Sequence, residues 1–452
     1  MNTYFFIGIG GSGMSAIAQY LVGKGNNVSG SDRVFAKSEG QDIKHKLENE
    51  GIKCYIQGES IIDKNTDYIV VSTAIEDNVP EYVFAKVNNI KIIHRSDLLA
   101  EIASKNKTIA VCGTSGKSTT TAMIYCILEK NGFSPSLISG AGLIELQEKG
   151  KIGNAAVGNS DILVIETDES DGTIVKYHPE IGVILNIDRD HKEIEELMVL
   201  FSTFAQHTKS TLIVNQDNNR SKSLSKDITK DFSCKNKQGN FGECFSQNIE
   251  GISFYTNNTE FKLSVIGQHN MQNAMAAIAV AREFNIPDTN SADALSKYKG
   301  IFRRNRIVYS QNNITIMDDF AHNPAKICAS ISACQAISKR VIAWFQPHGF
   351  APSKLMKNEL IESLTNLLRP DDQILFSKIY YAGGTANQTI SAEEFTNELI
   401  LNHIKSKYIE NRDEIIPYLT SIAQSGDIIL LMGARDPSLE YFAKNVCNAF
   451  NN

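Results

Sequence analysis

The sequence contains no C-x-x-C pair: its eight cysteines (Cys54, Cys112, Cys126, Cys234, Cys244, Cys328, Cys334 and Cys447) are scattered along the chain. That spacing argues against a zinc site and reads as reduced thiols, mostly buried as small apolar groups. No uninterrupted apolar run is long enough to span a bilayer. The first residues lack a basic flank and a small-residue cleavage site, so the signal-peptide pattern fails and the cytoplasm is the expected compartment. Positive charge is not in excess either. A net charge of −6 argues against a general nucleic-acid binder. There is also no internal repeat at a solenoid period and no low-complexity tract.

What remains is the balance of a soluble protein with real cores, 42% hydrophobic and 21% charged. At 452 residues, about three domains of roughly 150 residues are expected. Strand-like runs alternate with helical patterns throughout, the signature of parallel α/β layers. FFIGI, NVSGS, KCYI, DYIVVS and IKIIH form a first unit over 1–105. A polar break, SKNK, precedes a second unit over 106–300 with the strands TIAVCG, DILVIE, IGVILNI and STLIVN. Residues 216–262 lack helical periodicity and read as a β-rich or loop excursion, after which residues 267–284 return to a helix. The stretch KGIFRRNR (299–306) reads as a linker into a third unit over 301–452. Its strands are ITIMDD, RVIAWFQ, DQILFSKI and DIILLMG, and its helices start near Pro324, Pro352, Ser391 and Pro437.

Two glycine loops carry the chemistry. In the first, Gly8, Gly10 and Gly13 match G-x-G-x-x-G between an apolar strand and a helical pattern, with Asp32 at the distance where a ribose-binding acid is expected. The second, AVCGTSGKSTTTAMI (110–124), runs from a strand through glycines to Lys117 and Ser118 and into a helix. Backbone N–H groups there close around phosphate oxygens, Lys117 reaches terminal phosphates, and a hydroxyl after the lysine suits Mg²⁺. Val111 stands where the strict pattern has its first glycine. Glu166 ends DILVIE and His191 closes NIDRDH, so both fall at strand ends facing the ligand crevice of an open α/β sheet. Taken singly, each is an ordinary loop residue; their value lies in sharing a sheet edge with the lysine loop.

In order along the chain, GIGGSGMS, VSGSD, VVSTAIEDNVPE, IIHRSDLLAEI, GTSGKSTTT, ETDESD, NIDRDH, GQHNMQNAMAA, GIFRRN, DDFAHNP and MGARD resemble the Mur ligase family, the ATP-dependent amide-bond-forming enzymes of peptidoglycan assembly. The resemblance is closest to the members that add L-alanine to UDP-N-acetylmuramate. It implies three α/β domains: a Rossmann-like domain for the UDP-sugar, a central P-loop ATPase domain, and a C-terminal Rossmann-like domain that closes over ATP and the amino acid. The first loop then holds the pyrophosphate of a UDP-sugar through Gly10, Gly11, Ser12, Gly13 and Met14, with Asp32, Ser72 and Thr73 as further contacts. ATP falls to Gly113, Thr114, Ser115, Gly116, Lys117, Ser118, Thr119, His269, Asn270, Asn273, Arg304 and Asp319. Mg²⁺ falls to Ser118, Glu166 and His191. Lys117, Glu166, His191 and Arg304 are the implied catalytic set, acting on an acyl phosphate that an amine then displaces. The implied partners are a UDP-N-acetylmuramate-like sugar and an amino acid, with no nucleic acid and no membrane, in a monomer or weak homodimer.

The departures concentrate at the acceptor region, where His322, His348 and Arg435 are the candidates. Ser115, Ala321 and Asn323 differ from the residues usual in the L-alanine-adding members. FQPHGFAPSK has Gly349 and Pro352 where FQPHRYTR carries two arginines that help hold substrate carboxylates. Arg435 stands where a glycine is usual. L-Alanine is therefore the family expectation, and a different amine (another amino acid, or a peptide as in the recycling ligases) or a different sugar is the alternative. An NAD-dependent oxidoreductase follows from the first loop alone but leaves the lysine loop unexplained. A nucleotide-sugar sensor without turnover leaves Lys117, Ser118, Glu166 and His191 unexplained.

Overall fold

The computed structural model describes residues 1–188, 193–381 and 389–451. His191 therefore lies outside the described residues. The chain divides into two compact units. One is Met1–Phe245 with Ser253–Ser264 and His269–Phe302; the other is Arg303–Asn452 with Ser246–Ile252 and Val265–Gln268.

Two large sheets make up most of the first unit. β1 (Thr3–Ile7), β2 (Asn27–Asp32), β3 (Lys53–Ile56), β4 (Tyr68–Val71) and β5 (Lys91–His94) pair in the order 3-2-1-4-5, all parallel. β6 (Lys107–Cys112), β7 (Ser136–Ile138), β8 (Ala155–Ala156), β9 (Ile162–Glu166), β10 (Ile181–Ile184) and β11 (Thr211–Val214) pair in the order 11-10-6-9-7-8. Here β8 alone runs antiparallel to its neighbour. Strands covered on both faces need apolar side chains on both, so they read as unbroken hydrophobic runs. β10 (IGVI) is buried at every residue, and β6 (KTIAVC) at every residue but the first. In each sheet the strand order reverses beside the first strand, which opens a crevice at the carboxyl ends of β1 and β6.

The excursion at 216–262 is β-rich, in line with its composition. It forms the short pair β12 (Phe232–Ser233) and β13 (Asn240–Phe241), then a three-stranded sheet of β14 (Glu243–Asn248), β15 (Gly251–Thr256) and β16 (Thr259–Leu263). The helix Gln268–Glu283 follows where the alanine and methionine spacing places it.

The second unit is a single sheet of β17 (Arg306–Gln311), β18 (Ile314–Asp319), β19 (Arg340–Phe345), β20 (Gln373–Phe376), β21 (Ser406–Tyr408) and β22 (Asp427–Met432), in the order 17-18-22-19-20-21. Only β17 is antiparallel. The stretch 299–306 crosses between the two units as expected, and only its last residue, Arg306, already belongs to β17. β17 (RIVYSQ) and β21 (SKY) are edge strands with part-exposed residues and only short apolar stretches, so no long hydrophobic run announces them. Helices do begin at Pro324 and beside Ser391, which closes a capping box with Glu394. Pro352 falls within the first turn of Phe350–Leu367, where its missing N–H costs nothing.

All eight cysteines are free, but only Cys54, Cys112, Cys126 and Cys334 are buried. Cys244 is exposed, near the start of β14 at φ +55°. Among the described residues no helix is long and apolar enough to cross a membrane.

Candidate functional site: two glycine loops in one unit

The loop after β1 is shaped by Asp32. One carboxylate oxygen accepts the Gly10 N–H (2.9 Å) and the other accepts the Val34 N–H (2.9 Å). Asp32 thus holds the glycine turn and caps the short helix Arg33–Ala36, a structural duty its spacing does not reveal. The helix Ser12–Gly23 begins in the loop, so the N–H groups of its first turn, including Gly13 and Met14, have no partner within the helix. Ser12 and Gly11 are exposed and Met14 is buried. Ser72 and Thr73 follow β4 on the neighbouring strand of the same crevice, in a turn closed by Ile75 N–H to Ser72 C=O (3.2 Å).

Two residues not singled out from sequence tie this loop to the second sheet. Asn154, 2% exposed, donates to Ser12 C=O (2.7 Å) and Ser15 Oγ (3.0 Å) and accepts from Gln19 Nε2 (2.9 Å). Arg95 lies so close to Gly13 that a Cβ there would collide with its guanidinium, and its other nitrogen faces Asp171 at 3.6 Å.

The loop after β6 runs Gly113–Gly116 into the helix Lys117–Lys130. Val111 is a buried strand residue in register with Glu166, so the phosphate turn starts only at Gly113. Gly116 has φ +84°, and a Cβ on it would strike Asn273 Oδ1; both facts demand glycine. Asn186, from the string after β10, clips the loop. Its Oδ1 accepts Ser115 N–H (2.8 Å) and Thr114 Oγ1–H (2.8 Å), and its Nδ2 donates to Ser115 C=O (3.1 Å). Ser115 therefore keeps its place through its backbone, whatever its side chain.

Lys117 is not an unencumbered surface lysine. Its Nζ donates to Gly113 C=O (2.8 Å) and pairs with Glu169 Oε2 (2.8 Å), with both side chains largely buried. Burial works against the ammonium, but the carboxylates of Glu169, Glu166 and Asp168 outweigh it and hold the lysine above its ordinary range. Burial pushes the Glu169 carboxyl up despite its partner. For Asp168, burial is overcome by Lys117, the Ser170 hydrogen bonds and Arg95, and the carboxyl sits below its ordinary value.

Glu166 ends β9 beside this loop and accepts the Gly140 N–H (2.8 Å) and Ser139 Oγ–H (3.3 Å) through one oxygen. Ser118 is buried on the first turn of the loop's helix, with Thr119 next to it. Three carboxylates around one ammonium leave an excess of negative charge that suits a divalent cation, and hydroxyl and carboxylate oxygens are the donors Mg²⁺ prefers. Among the described residues no group of three His, Cys, Asp or Glu is arranged to hold a metal ion. Mg²⁺ takes one or two protein ligands and completes its shell with water and phosphate.

Asn270 and Asn273 are buried on one face of the helix Gln268–Glu283, which His269 also begins. Asn273 donates to Asn270 Oδ1 (3.1 Å) and accepts from Thr120 Oγ1 (3.3 Å). Asn273 thus packs against the phosphate loop itself.

In the second unit Arg304 stacks over Phe320, its guanidinium carbon 4.9 Å from the ring centre. Asp319 is buried and engaged within its own unit, accepting from Asn305 N–H (2.5 Å), Ala321 N–H (2.7 Å) and Ser330 Oγ (3.1 Å). It anchors the loop that carries Arg304, and both its oxygens have partners. His322 and His348 have ring centroids 5.7 Å apart. Burial, then the Lys326 charge, depress His322 to about 3, with its hydrogen bond to Phe320 C=O (2.9 Å) opposing. Arg435 is exposed on the loop after β22, whose start lies against Gln346, whereas His348 and Gly349 pair with Tyr380 after β20. Gly349 has φ +69°, and a Cβ on it would press on the Pro352 ring at 3.2 Å. An arginine would be strained in that backbone conformation.

Three Mur ligase family models match successive stretches of the chain. The Mur ligase middle domain matches residues 111–281, the catalytic domain of the Mur ligase family matches 3–107, and the glutamate ligase domain matches 303–435. The UDP-N-acetylmuramate–L-alanine ligase of Caldicellulosiruptor bescii is 35% identical over 454 aligned residues, covering 96% of each chain. That of Pelotomaculum thermopropionicum is 35% identical over 95% of this chain and 94% of its own. Among solved structures, the UDP-N-acetylmuramate–alanine ligase of Thermotoga maritima superposes with a TM-score of 0.82 at 24% identity, over 100% of this chain and 99% of that one. A murein peptide ligase of Psychrobacter arcticus reaches 0.69 at 21% identity, over 100% and 99%. The structural likenesses speak to the fold; the sequence matches carry the kinship, and by them the chain belongs to the Mur ligase family.

Proposed function

We propose that this protein is an ATP-dependent ligase that joins L-alanine to the carboxylate of UDP-N-acetylmuramate. The observation that carries the reading is the pairing of two different anion loops in one unit. One is a lysine-free glycine turn organised by Asp32, and the other carries a buried lysine ringed by acids. A diphosphate that is only held needs N–H donors alone; a phosphoryl group that is transferred needs charge placed where charge develops. The relatives named as UDP-N-acetylmuramate–L-alanine ligases support the substrate pair.

In this reading the sugar carboxylate attacks the γ-phosphorus and ADP leaves; the amine then attacks the acyl carbon of the acyl phosphate and inorganic phosphate leaves. Lys117 neutralises the migrating phosphoryl group, and the Gly113–Gly116 turn, which opens the helix at Lys117, holds the phosphates. Ser118 and Glu166, with His191, would hold Mg²⁺, which supplies charge neutralisation across the phosphates. Asn270 and Asn273 serve the adenine, and Arg304, on the loop that Asp319 anchors, serves ATP. Gly10 to Met14, Ser72 and Thr73 hold the UDP-sugar. We place the protein in the cytoplasm.

The test is phosphate release from ATP and UDP-N-acetylmuramate against a panel of amines. Selective turnover with L-alanine is expected, and no turnover with any amine overturns the reading. A different amine is the second reading, favoured by the Gly349–Pro352 geometry, and L-serine, glycine and short peptides in the panel decide it. Calorimetry separates the oxidoreductase alternative, since NAD binding without UDP-sugar binding would reverse the assignment of the first loop.

A further inference from the structure

We propose that Glu169 is a positioning residue for Lys117, holding the ammonium in a fixed place over the phosphate loop. The proposal rests on the reading of Gly113–Lys117 as the ATP loop. An ammonium has three N–H donors. Two of them are engaged, one by Glu169 Oε2 and one by Gly113 C=O, each at 2.8 Å. The two acceptors fix the direction of the third, which is left for a ligand. A lysine side chain otherwise has four rotatable bonds to immobilise on binding, an entropy cost that this arrangement meets in advance.

The geometry is specific to Glu169. Glu166 and Asp168 also act on the lysine through their charges, but only Glu169 bonds it, and Glu169 is the most buried of the three at 3% exposure. A buried carboxylate with one strong partner keeps its place, because leaving that partner would strand the charge. Both acceptors that direct the ammonium belong to the chain itself. Glu169 touches no substrate in this account; it acts through Lys117.

The experiment measures Glu169→Gln and Glu169→Asp in the full-length enzyme. Glutamine keeps the shape and an acceptor but loses the charge; aspartate keeps the charge on a shorter arm. For Glu169→Gln, a fall in kcat of about tenfold or more is expected, with KM for ATP changed less than about threefold, as misplacing a charge aimed at the transition state produces. Glu169→Asp is expected to recover part of that loss. Calorimetry with UDP-N-acetylmuramate, which binds the other loop, is expected to be unchanged in both variants, and this readout shows that the fold is intact. Wild-type kcat in Glu169→Gln overturns the proposal, as does a rise in KM with kcat preserved. Weakened UDP-sugar binding in parallel with lost turnover also overturns it, by showing a merely structural role. Lys117→Ala run alongside separates the two ideas: if it too turns over normally, the ATP-loop reading itself fails.

Discussion

The two glycine loops stand at equivalent places, each after the first strand of its sheet and each opening a helix, yet they are built in opposite ways. The β1 loop is held from below by an acid, Asp32, whose two oxygens are both engaged by backbone N–H groups, and it carries no cation of its own. The β6 loop is held from the side by an amide, Asn186, and carries Lys117 in a nest of acids. The difference separates retention from reaction. N–H donors with the Arg95 guanidinium beside Gly13 suit holding a diphosphate without altering it. A buried charge with a fixed direction is useful where charge moves.

The largest effect expected from breaking this contrast is Lys117→Ala. Turnover of ATP should fall by about 3 kcal/mol or more in transition-state stabilisation while UDP-sugar binding persists. In the sequence the lysine has no visible structural duty, but its pairing with buried Glu169 changes the expectation. Removing it leaves a carboxylate buried without its partner, so a lowered melting temperature should accompany the lost activity. Normal turnover in a folded variant would sink the assignment.

Next comes Gly116→Ala. The φ of +84° and the collision with Asn273 Oδ1 should distort the ATP loop alone. ATP affinity is expected to drop about tenfold or more, equivalent to roughly 1.4 kcal/mol, with UDP-sugar affinity unchanged by calorimetry. Equal losses at both loops would show that they are not independent.

Asp32→Ala is the mirror experiment. It frees the Gly10 and Val34 N–H groups, and each lost hydrogen bond to a charged acceptor is worth about 1.5–3 kcal/mol at most. UDP-sugar binding should weaken while ATP binding stays within about twofold. A selective loss at the ATP loop would contradict the division of labour.

An effect on stability rather than on binding lies outside both loops and serves as a baseline. His322 is depressed to about 3 in the folded protein and returns to its ordinary value when unfolded. The unfolded state then binds the extra proton first, so stability falls as pH drops from about 6.5 toward about 3. His322→Gln should flatten that acid limb in a melting-temperature series, and an unchanged slope would remove His322 as its source.

The architecture was legible because buried parallel strands need apolar residues on both faces, and β6, β10 and β22 announce themselves by unbroken runs. The edges were less so: β17 and β21 pair on one side only, and their apolar residues, Ile307 to Tyr309 and Tyr408, are too few to make a long run. The same divide runs through the site. Gly113, Gly116, Lys117 and Ser118 are adjacent in sequence because one turn must place them together, and their spacing makes them visible. Asn186 and Glu169 lie 71 and 52 residues from the atoms they bond, and Asn154 lies 142 residues from Ser12. The strings holding Asn186 and Glu169 stand out in the sequence, but for their neighbours.

What the sequence determined by itself is the set of local devices: two glycine turns opening helices, an acid and a lysine at stated offsets, and the alternation that makes three α/β layers. Those follow from backbone sterics and hydrophobic period, which act over a few residues. Only the tertiary structure decided which partner each charge would meet. It turned Asp32 into a loop anchor, engaged both oxygens of Asp319 within its own unit, closed Glu169 onto Lys117, and set Gly349 at a positive φ against Pro352. Such pairings form between segments far apart in the chain, where a buried charge must find its complement and sequence spacing carries no record of the distance.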